Sequence, residues 1–439
     1  MLELCGVKLQ KNKDKKAAQN NRKKTYSGEK TKMTKQYIFT ERAHLMCPGM
    51  YYGIAGVLDA PCDKSRLKHT LDTVSYAHPF LRAVLGYEQD SDRYFYDITQ
   101  QGKTQLTVYD ETPTGLDDPV VISCFEQAVQ TDTDLTKEGM LRIFAWKMND
   151  STCVLFVFHH LLADGRGALG LVREFADMYV SGKKPATVEE RLIQSAEDLP
   201  GGALISGLSR TLVNMYNKKW IREGKHLSYE QYHAFANEYQ KQHAASHKVT
   251  VTEKDKLSEL LEKSHEQGVT LNDYLLAQMF EKQHTFKIVI ASDLRSKLEC
   301  YRSGALGNYS TAFTVKLKKR GGSVWKLARS VHKEVRDLIA DVSSLCLVMS
   351  FYTIIEPGLL DAAAPSALGG FDSRAASSAG KSILGYSGAK GCCITNLGKL
   401  ESTTLTEAMF IPPASPAMRY TQGVVTVNGK MYTCTAERN

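Results

Sequence analysis

One stretch of the chain, residues 153–165, restricts the possible folds more than any other. It opens with an unbroken apolar run, Cys153 to Phe158, in which β-branched and aromatic side chains predominate. A short run of this kind is typical of a strand buried in a sheet. The residues that follow can carry chemistry or permit a tight turn, namely His159, His160, Asp164 and Gly165. The sequence therefore predicts a buried strand that presents polar groups at its end.

The residues around this strand predict a hairpin before it and a helix after it. Residues 141–148 and 152–158 flank a polar turn and predict two antiparallel strands. After the turn at Gly165, apolar residues recur with the spacing of one helix face, at Leu169, Val172, Phe175, Ala176 and Tyr179. The polar motif is thus expected at a strand-to-helix corner.

The residue types in this motif favour proton transfer. An imidazole at a rigid strand end has an ordinary pKa of about 6.5, so it can accept a proton from a hydroxyl, an amine or a thiol near neutral pH. A carboxylate four residues later, after a sharp turn, can pair inward with a cation and fix the loop. Gly165 lets the chain turn tightly and approach its neighbours closely.

The segment His159-His160-Leu161-Leu162-Ala163-Asp164-Gly165 resembles the HHxxxDG signature of a known superfamily. That superfamily contains chloramphenicol acetyltransferase, the condensation domains of peptide synthetases and stand-alone alcohol acyltransferases. Two later segments strengthen the resemblance. Asp293-Leu294-Arg295 followed by Gly307-Asn308 is similar to a pairing in stand-alone members, and Thr395-Asn396-Leu397-Gly398 resembles the family's SNLG strand end, with threonine in the serine position.

The resemblance implies an α/β (α+β) fold of two chloramphenicol acetyltransferase-like halves. Each half is expected to be a mixed β-sheet flanked by helices, and the halves are expected to form a V with a tunnel between them. On this basis residues 33–190 are predicted as the N-terminal half that carries the motif, and residues 191–439 as the C-terminal half.

The resemblance also implies roles for individual residues. His160 is expected to be the general base, with His159 in a packing or orienting role. Asp164 is expected to form a buried, two-pronged ion pair with Arg295, although Arg295 as a surface cation is the alternative. Possible contacts to an oxyanion or an acceptor are Asn308, Thr395 and Asn396, but a strand-end Thr-Asn-x-Gly is also ordinary turn chemistry.

The function implied by the resemblance is acyl transfer from a CoA thioester to a hydroxyl or amine acceptor. The acyl-CoA is then a co-substrate, and no permanently bound cofactor is expected. Two alternatives remain open: a condensation enzyme that forms amides and takes its acyl group from a phosphopantetheinyl carrier protein, and a non-catalytic binding relative. A metal site at His160 and Asp164 is not predicted, because no third ligand is spaced to join them.

The formal charge of +8 is confined to one end of the chain. Residues 1–35 hold eleven Lys and Arg against three Asp and Glu, so the remaining 45 basic and 45 acidic residues cancel. Residues 1–32 lack apolar periodicity and are predicted to be a flexible, solvated tail, with a weak phosphate or acidic-membrane contact as the alternative. The rest of the chain gives no basis for nucleic-acid binding.

The remaining features predict a cytoplasmic protein without stable membrane insertion. No run of 18 apolar residues occurs, and the ten cysteines show no Cys-x-x-Cys pair.

Residues 203–245 are predicted as helical packing or a crossover, and residues 361–380, rich in Ala, Ser and Gly, as a mobile loop or a weak helix. Thr252, Thr270 and Ser323 are predicted helix caps, and Asn428-Gly429 a tight hairpin turn.

Overall fold

A computed structural model describes residues 35–318 and 321–438, and the predicted tail at residues 1–32 lies outside them. The strands, in chain order, are β1 (Gln36–Tyr37), β2 (Tyr51–Leu58), β3 (Ala83–Glu88), β4 (Arg93–Ile98), β5 (Gln105–Tyr109), β6 (Leu141–Met148), β7 (Ser151–His159), β8 (Ser246–Thr252), β9 (Lys287–Asp293), β10 (Ser310–Lys316), β11 (Gly391–Leu400), β12 (Leu405–Ile411), β13 (Met418–Val427) and β14 (Lys430–Glu437).

Helices connect these strands and cover the sheets. In the same order, the α-helices of the described residues are α1 (Arg42–Leu45), α2 (Lys64–Ala77), α3 (Pro119–Val129), α4 (Gly165–Ser181), α5 (Gly207–Glu223), α6 (Tyr229–Gln242), α7 (Lys254–Glu266), α8 (Leu271–Lys282), α9 (Val324–Ala340), α10 (Val342–Leu345), α11 (Leu347–Tyr352), α12 (Pro357–Ala367) and α13 (Arg374–Ser382).

The first sheet has β7 at its centre. Its strand order is β12-β2-β7-β6-β5, with β5 parallel to β6 and the other pairs antiparallel. All of β2 and all of β7 after Ser151 are buried, which explains why their sequences are apolar on both faces. The predicted hairpin is confirmed by the pairing of β6 with β7 across a turn in which Asn149 has a φ of 50°. A separate small sheet has the order β1-β4-β3, and side chains of β3 and β4 share the core of the first sheet.

The second sheet is also mixed and places the other half of the site. Its order is β10-β9-β11-β13-β14-β8, with β11 parallel to both β9 and β13. The predicted Asn428-Gly429 hairpin is confirmed: β13 and β14 pair antiparallel around it, and the φ angles of its two residues are 51° and 84°. Two mixed sheets with flanking helices confirm the predicted fold class.

The C-terminal half of the chain contributes a strand and core side chains to the sheet that contains β7. Strand β12 comes from the C-terminal part of the chain, yet it pairs with β2 at the edge of the first sheet. The side chains of Trp220 and Tyr232, from α5 and α6, also belong to the core that surrounds β7. The second core lies between the second sheet and the helices α8 and α9. The predicted boundary between the halves at residue 190 stays a prediction. Side chains from beyond this boundary pack in the core around β7.

Most local predictions for the helices hold, and one needs correction. The side chains of Thr270 and Ser323 cap α8 and α9 as predicted. Helix α7 instead follows Glu253, which makes no side-chain cap, because Thr252 is still paired in β8. Of the two alternatives predicted for residues 361–380, the structure has the helical one: they fall largely in α12 and α13, whose alanine side chains are mostly buried.

Within residues 35–318 and 321–438, no helix has both the length and the apolar character needed to cross a bilayer.

Candidate active site

His160 follows the last residue of β7 and is held in place from several sides. Its backbone N–H donates to the carbonyl of Met50, 2.8 Å away. Its ring stacks on the ring of His44, with centroids 4.1 Å apart and an interplanar angle of 17°, and meets the edge of Tyr52 at 5.2 Å. The Nδ1 atom is 3.0 Å from Oδ1 of Asn308. The imidazole is therefore fixed in one orientation.

The contacts of Asn308 determine which nitrogen of His160 is free. Its Nδ2 donates to the carbonyls of His160, at 2.9 Å, and Leu161, at 3.2 Å, so its Oδ1 is the atom that faces the ring. Because an amide oxygen only accepts, Nδ1 of the neutral imidazole carries the hydrogen. The lone pair of the ring then lies on Nε2, which makes no hydrogen bond to a described residue. This is the arrangement that a general base needs.

Burial keeps the ring of His160 neutral. Loss of hydration lowers the pKa of His160 below its ordinary value of 6.5, against the opposing effects of its own backbone, Asp164 and Asn308. The pKa of His44 is lowered further, by burial and by the neighbouring imidazoles of His160 and His159. Both stacked rings are therefore neutral at pH 7.

His159 differs from His160 in its burial and in its contacts. Only 2% of its surface is exposed. Its Nδ1 accepts the backbone N–H of Leu161 at 3.1 Å, and its ring meets the edge of Tyr51. Burial lowers its pKa to about 4. These contacts bury the His159 ring and fix its position, and its packing or orienting role stays a prediction.

Asp164 is surrounded by hydrogen-bond donors and faces away from His160. Its Oδ1 accepts the N–H groups of Arg166 and Gly167, each at 3.0 Å, and caps α4. Its Oδ2 accepts the N–H of Tyr309 at 2.8 Å. The carboxylate therefore ties the start of α4 to the loop before β10.

Arg295 completes this group of contacts. Its Nη2 donates to Asp164 at 2.8 Å, while its Nη1 donates to Asp293 at 3.0 Å. The contact differs from the expected two-pronged pair, because the guanidinium bridges two carboxylates instead of gripping one. Arg295 is largely buried, with 12% of its side chain exposed, so it is not the surface cation of the alternative.

Three cavities lie at and beside His160, and we take them as parts of one channel because they share lining residues. The middle cavity, the central cleft, has a volume of about 270 Å³ and is lined by His160, His44, Asn308 and Thr395 among others. One end, the polar arm, is lined by Arg166, Asn272, Asp293 and Arg295 among others. The other end, the apolar arm, is lined by Met46, Val289, Ile383 and Leu384 among others. Ala291, Ser310 and Thr395 line both the polar arm and the central cleft.

One face of the second sheet forms the floor of this channel. Side chains two residues apart on a strand share a face, and β10 contributes Ser310, Ala312 and Thr314 to successive parts of the channel. Ala291 on β9 is the register partner of Ala312. Ala291 lies toward the polar arm, and Ala312 lines the junction of the central cleft with the apolar arm.

The remaining predicted residues have unequal access to the channel. Thr395 lines both the central cleft and the polar arm. Asn396 lines the polar arm but not the central cleft. The Oδ1 of Asn396 accepts the N–H of Gly398 at 2.9 Å, which is the turn contact named as its alternative role. A Cβ at Gly165 would lie 2.6 Å from a methyl group of Leu397 on β11, so any larger residue there would force the Leu397 side chain to move.

His44 and Glu41 are parts of the site that the sequence did not reveal. Glu41 immediately precedes the short helix α1, and His44 lies in it. A helix of four residues is too short to show an apolar periodicity in the sequence. Glu41 is fully buried. Its Oε2 accepts the hydroxyl of Thr40 at 3.2 Å, while Oε1 has no partner among the described residues. Burial raises the pKa of Glu41 to about 7, against the lowering effect of hydrogen bonds from nearby backbone and Thr40.

Replacing Glu41 with glutamine is expected to flatten the pH dependence of stability. The folded-state pKa of about 7 exceeds the ordinary value of 4.5, so the free energy of unfolding falls as pH rises through that window. The shift corresponds to about 3 kcal/mol. Urea unfolding at pH 4.5 and pH 8 should show this loss in the wild type and not in Glu41→Gln. An equal loss in both proteins would contradict the assignment.

No group of three or more His, Cys, Asp or Glu side chains within 35–318 and 321–438 is placed to hold a metal ion.

Comparison with known proteins places this geometry in context. The family model of the condensation domain matches residues 52–195, which include His159 through Gly165. A search of curated protein sequences finds no match.

Solved structures match the chain over nearly its whole length. A trichothecene 15-O-acetyltransferase from Fusarium sporotrichioides has a TM-score of 0.61 at 11% identity, covering 94% of this chain and 92% of that one. The first condensation domain of the calcium-dependent antibiotic synthetase has a TM-score of 0.58 at 9% identity, with 92% and 91% covered. The epimerization domain of tyrocidine synthetase B has 0.53 at 12% identity, with 93% of each chain covered. The chain therefore has the two-lobe fold of condensation domains and chloramphenicol acetyltransferase-like acyltransferases, and residues 52–195 match the condensation-domain family.

Proposed function

We propose that the protein transfers an acyl group from a CoA thioester to the hydroxyl of a small acceptor, with His160 as general base. The observation that carries the proposal is the state of His160. Its Nδ1 is occupied by Asn308, its pKa is lowered, and its ring lines the central cleft where the two arms of the channel meet. A neutral, oriented imidazole with a free Nε2 is suited to remove a proton from an alcohol.

The reaction then proceeds without a covalent enzyme intermediate. Nε2 of His160 takes the proton as the acceptor oxygen bonds to the thioester carbon, and the carbonyl oxygen becomes an oxyanion. The tetrahedral intermediate collapses, the carbon–sulfur bond breaks, and the imidazolium returns the proton to the leaving CoA thiolate. The products are an ester and free CoA, and His160 is restored to its neutral form.

We assign the oxyanion contact to the hydroxyl of Thr395. Of the three residues predicted for this role, Asn308 uses its amide on His160 and two backbone carbonyls. Asn396 directs its Oδ1 to Gly398 and does not line the central cleft. Thr395 lines that cleft, and its hydroxyl is a donor that can stabilise developing negative charge.

Asp164 and Arg295 act as positioning residues in this scheme. Their ion pair fixes the turn between β7 and α4, and it links this turn to the loop that carries Asn308. Neither side chain makes a hydrogen bond to His160. Their effect on catalysis is through the placement of the base.

The acid limb of the pH–rate profile is expected below pH 6.5. The active form of His160 is the neutral one, and burial lowers the pKa of His160 below its ordinary value of 6.5, so the midpoint of the decline in kcat/KM at low pH should lie below pH 6.5. Stopped-time assays from pH 4.5 to 8 with acetyl-CoA would measure the profile. A decline centred at or above pH 7 would contradict a neutral buried base.

A second candidate donor is favoured by the condensation-domain match over residues 52–195. In this version the thioester is carried by the phosphopantetheine of a carrier protein, and an amine acceptor gives an amide. The two are separated by offering acetyl-CoA and an acetyl-loaded carrier protein, each with an alcohol panel and an amine panel, and by identifying the product by mass spectrometry. Ester from free acetyl-CoA supports the first proposal, and amide formed only from the loaded carrier supports the second.

A non-catalytic relative would give a third result. Acetyl-CoA would then raise the melting temperature of both the wild type and His160→Ala, but neither protein would release thiol with any acceptor.

A further inference from the structure

We propose that helix α5 docks the protein on the surface of a bilayer that contains anionic lipids. The contact is peripheral: apolar side chains on the exposed face of α5 enter the headgroup region, and basic side chains beside them bind lipid phosphates. This surface is separate from the channel, and the proposal does not depend on the reaction at His160.

Exposed apolar side chains are concentrated on α5 and just before it. Of the thirteen large apolar side chains that are exposed within 35–318 and 321–438, five lie within residues 204–221. Leu208 is 87% exposed, and Leu204, which precedes the helix, is 65% exposed. Leu208, Leu212 and Met215 recur at the spacing of one helix face, so they form a single outward stripe. An exposed apolar cluster of this kind marks a surface that binds a protein or a membrane.

The same stripe becomes basic toward the end of the helix. Lys219 and Arg222 lie four and seven residues after Met215, and Lys218 is beside them. All three basic side chains are exposed. Helix α5 holds four Lys and Arg against one Glu, whereas the chain outside residues 1–35 is neutral overall. The phosphates of anionic headgroups are complementary to such a local excess of positive charge.

The one acid of α5 does not neutralise this charge. Glu223 is directed to α13, where it accepts the hydroxyl of Ser373 at 2.6 Å and the N–H of Ala375 at 2.8 Å. The salt bridge of the described residues that is nearest to α5 in sequence, Lys225 with Asp372, lies beyond the end of the helix. The positive charge of α5 is therefore available to an external anion.

The opposite face of α5 fixes the helix to the body of the protein. Tyr216 and Trp220 are buried in the core that surrounds β7. The side chain of Asn217 donates to the carbonyl of Ile354 at 2.7 Å and accepts the N–H of Glu356 at 3.0 Å. Because the helix is already folded and held in place, docking costs little conformational entropy.

Charge and shape argue against other covers for this face. A second copy of the chain that contacts the same face would bury its own Lys218, Lys219 and Arg222 without acidic partners. Residues 1–35 carry a net charge of +8, so α5 repels them. A protein partner would need a matching cavity for each projecting leucine, whereas a fluid lipid surface needs none. The bilayer is therefore the occupant that the residues favour.

Co-sedimentation with lipid vesicles tests the docking. The full chain would be mixed with vesicles of phosphatidylcholine alone and with vesicles in which about one third of the lipid is phosphatidylglycerol. We expect binding to the anionic vesicles, and we expect it to weaken about tenfold when NaCl is raised from about 0.1 M to about 0.5 M, because salt screens the charges.

Two pairs of substitutions separate the apolar and the basic contributions. Leu208→Ser combined with Leu212→Ser should weaken binding to anionic vesicles by about tenfold or more, because less apolar surface is removed from water. Lys218→Glu combined with Lys219→Glu should abolish the preference for anionic over neutral vesicles, because the basic end of the stripe becomes acidic.

Matched controls carry the same kinds of change on other exposed surfaces. Tyr76→Ser combined with Leu261→Ser removes two exposed apolar side chains from α2 and α7. Lys256→Glu combined with Lys263→Glu changes the total charge as much as the α5 pair does, but on α7. Both controls should bind anionic vesicles within about twofold of the wild type. Melting temperatures should stay close to that of the wild type in all four variants, because every substituted side chain is exposed.

A tryptophan reporter locates the contact. On anionic vesicles, Leu208→Trp should show additional emission that shifts to shorter wavelength and is quenched by lipids with brominated acyl chains. Leu261→Trp, on α7, should show neither effect. This readout distinguishes docking through α5 from binding through the basic residues 1–35.

Three results would overturn the proposal. The first is a wild type that does not bind anionic vesicles at low salt. The second is binding that persists unchanged in both α5 variants, which would assign it to residues 1–35. The third is a wild type that ignores vesicles but forms a dimer or binds an acetyl-loaded carrier protein, and loses that contact in the α5 variants, because the face would then bind a protein.

Discussion

Asp164→Ala is expected to lower the free energy of unfolding by about 3–5 kcal/mol, because the largely buried Arg295 loses one of its two carboxylate partners and keeps Asp293. Three backbone N–H groups, of Arg166, Gly167 and Tyr309, lose their acceptor at the same time. Urea unfolding followed by circular dichroism would measure the loss. Activity should fall with it, since the same contacts hold the loop next to His160.

Asp118→Ala is a suitable control for this prediction. Asp118 caps α3 through the N–H of Val120, as Asp164 caps α4, but it lies at the surface and pairs with no arginine. Loss of such a cap costs about 0.5–2 kcal/mol. If Asp164→Ala is no more destabilising than Asp118→Ala, the ion pair with Arg295 does not stabilise the fold.

His160→Ala is expected to lower kcat by about 10²–10⁴-fold while leaving the fold intact. The side chain makes one hydrogen bond, to Asn308, and its removal opens space beside the central cleft rather than in a closed core. Acetyl-CoA binding should be unchanged, because binding and proton transfer use different groups. Initial rates and calorimetry on the same preparation would show both.

The neighbouring histidine provides the control for this loss. Asn at position 159 keeps an oxygen that can accept the N–H of Leu161, which Nδ1 of His159 accepts in the wild type. His159→Asn should therefore retain most of its kcat. Equal losses in the two variants would show that the motif is structural and that His160 has no separate role as a base.

The elements that sequence predicted well are those set by local physics. The apolar run of β7, the hairpin with β6, the cap of Ser323 and the Asn428-Gly429 turn each depend on a few adjacent residues. Strand β7 is apolar from Cys153 to Phe158 because both of its faces are covered, and this run made the corner at His160 predictable. The link between Asp164 and Arg295, 131 residues apart, came from family resemblance and not from the pattern of residues.

The features that sequence missed depend on contacts between distant segments. Nothing local marks His44 as the stacking partner of His160, or Asn308 as the group that occupies Nδ1. Arg295 was expected to pair with one carboxylate, but Asp293 competes for the same guanidinium. The two arms of the channel are formed by side chains from both halves of the chain, so no window of sequence contains either arm.

The most direct test of the central claim is the balance of products. The wild type and His160→Ala would each be incubated with acetyl-CoA and a series of 1-alkanols, and free CoA thiol and alkyl acetate would be measured in the same samples. We predict equal amounts of thiol and ester from the wild type, formed only when the alcohol is present, and almost none from His160→Ala. Thiol release without ester, or ester formation that persists in His160→Ala, would contradict acyl transfer by this base.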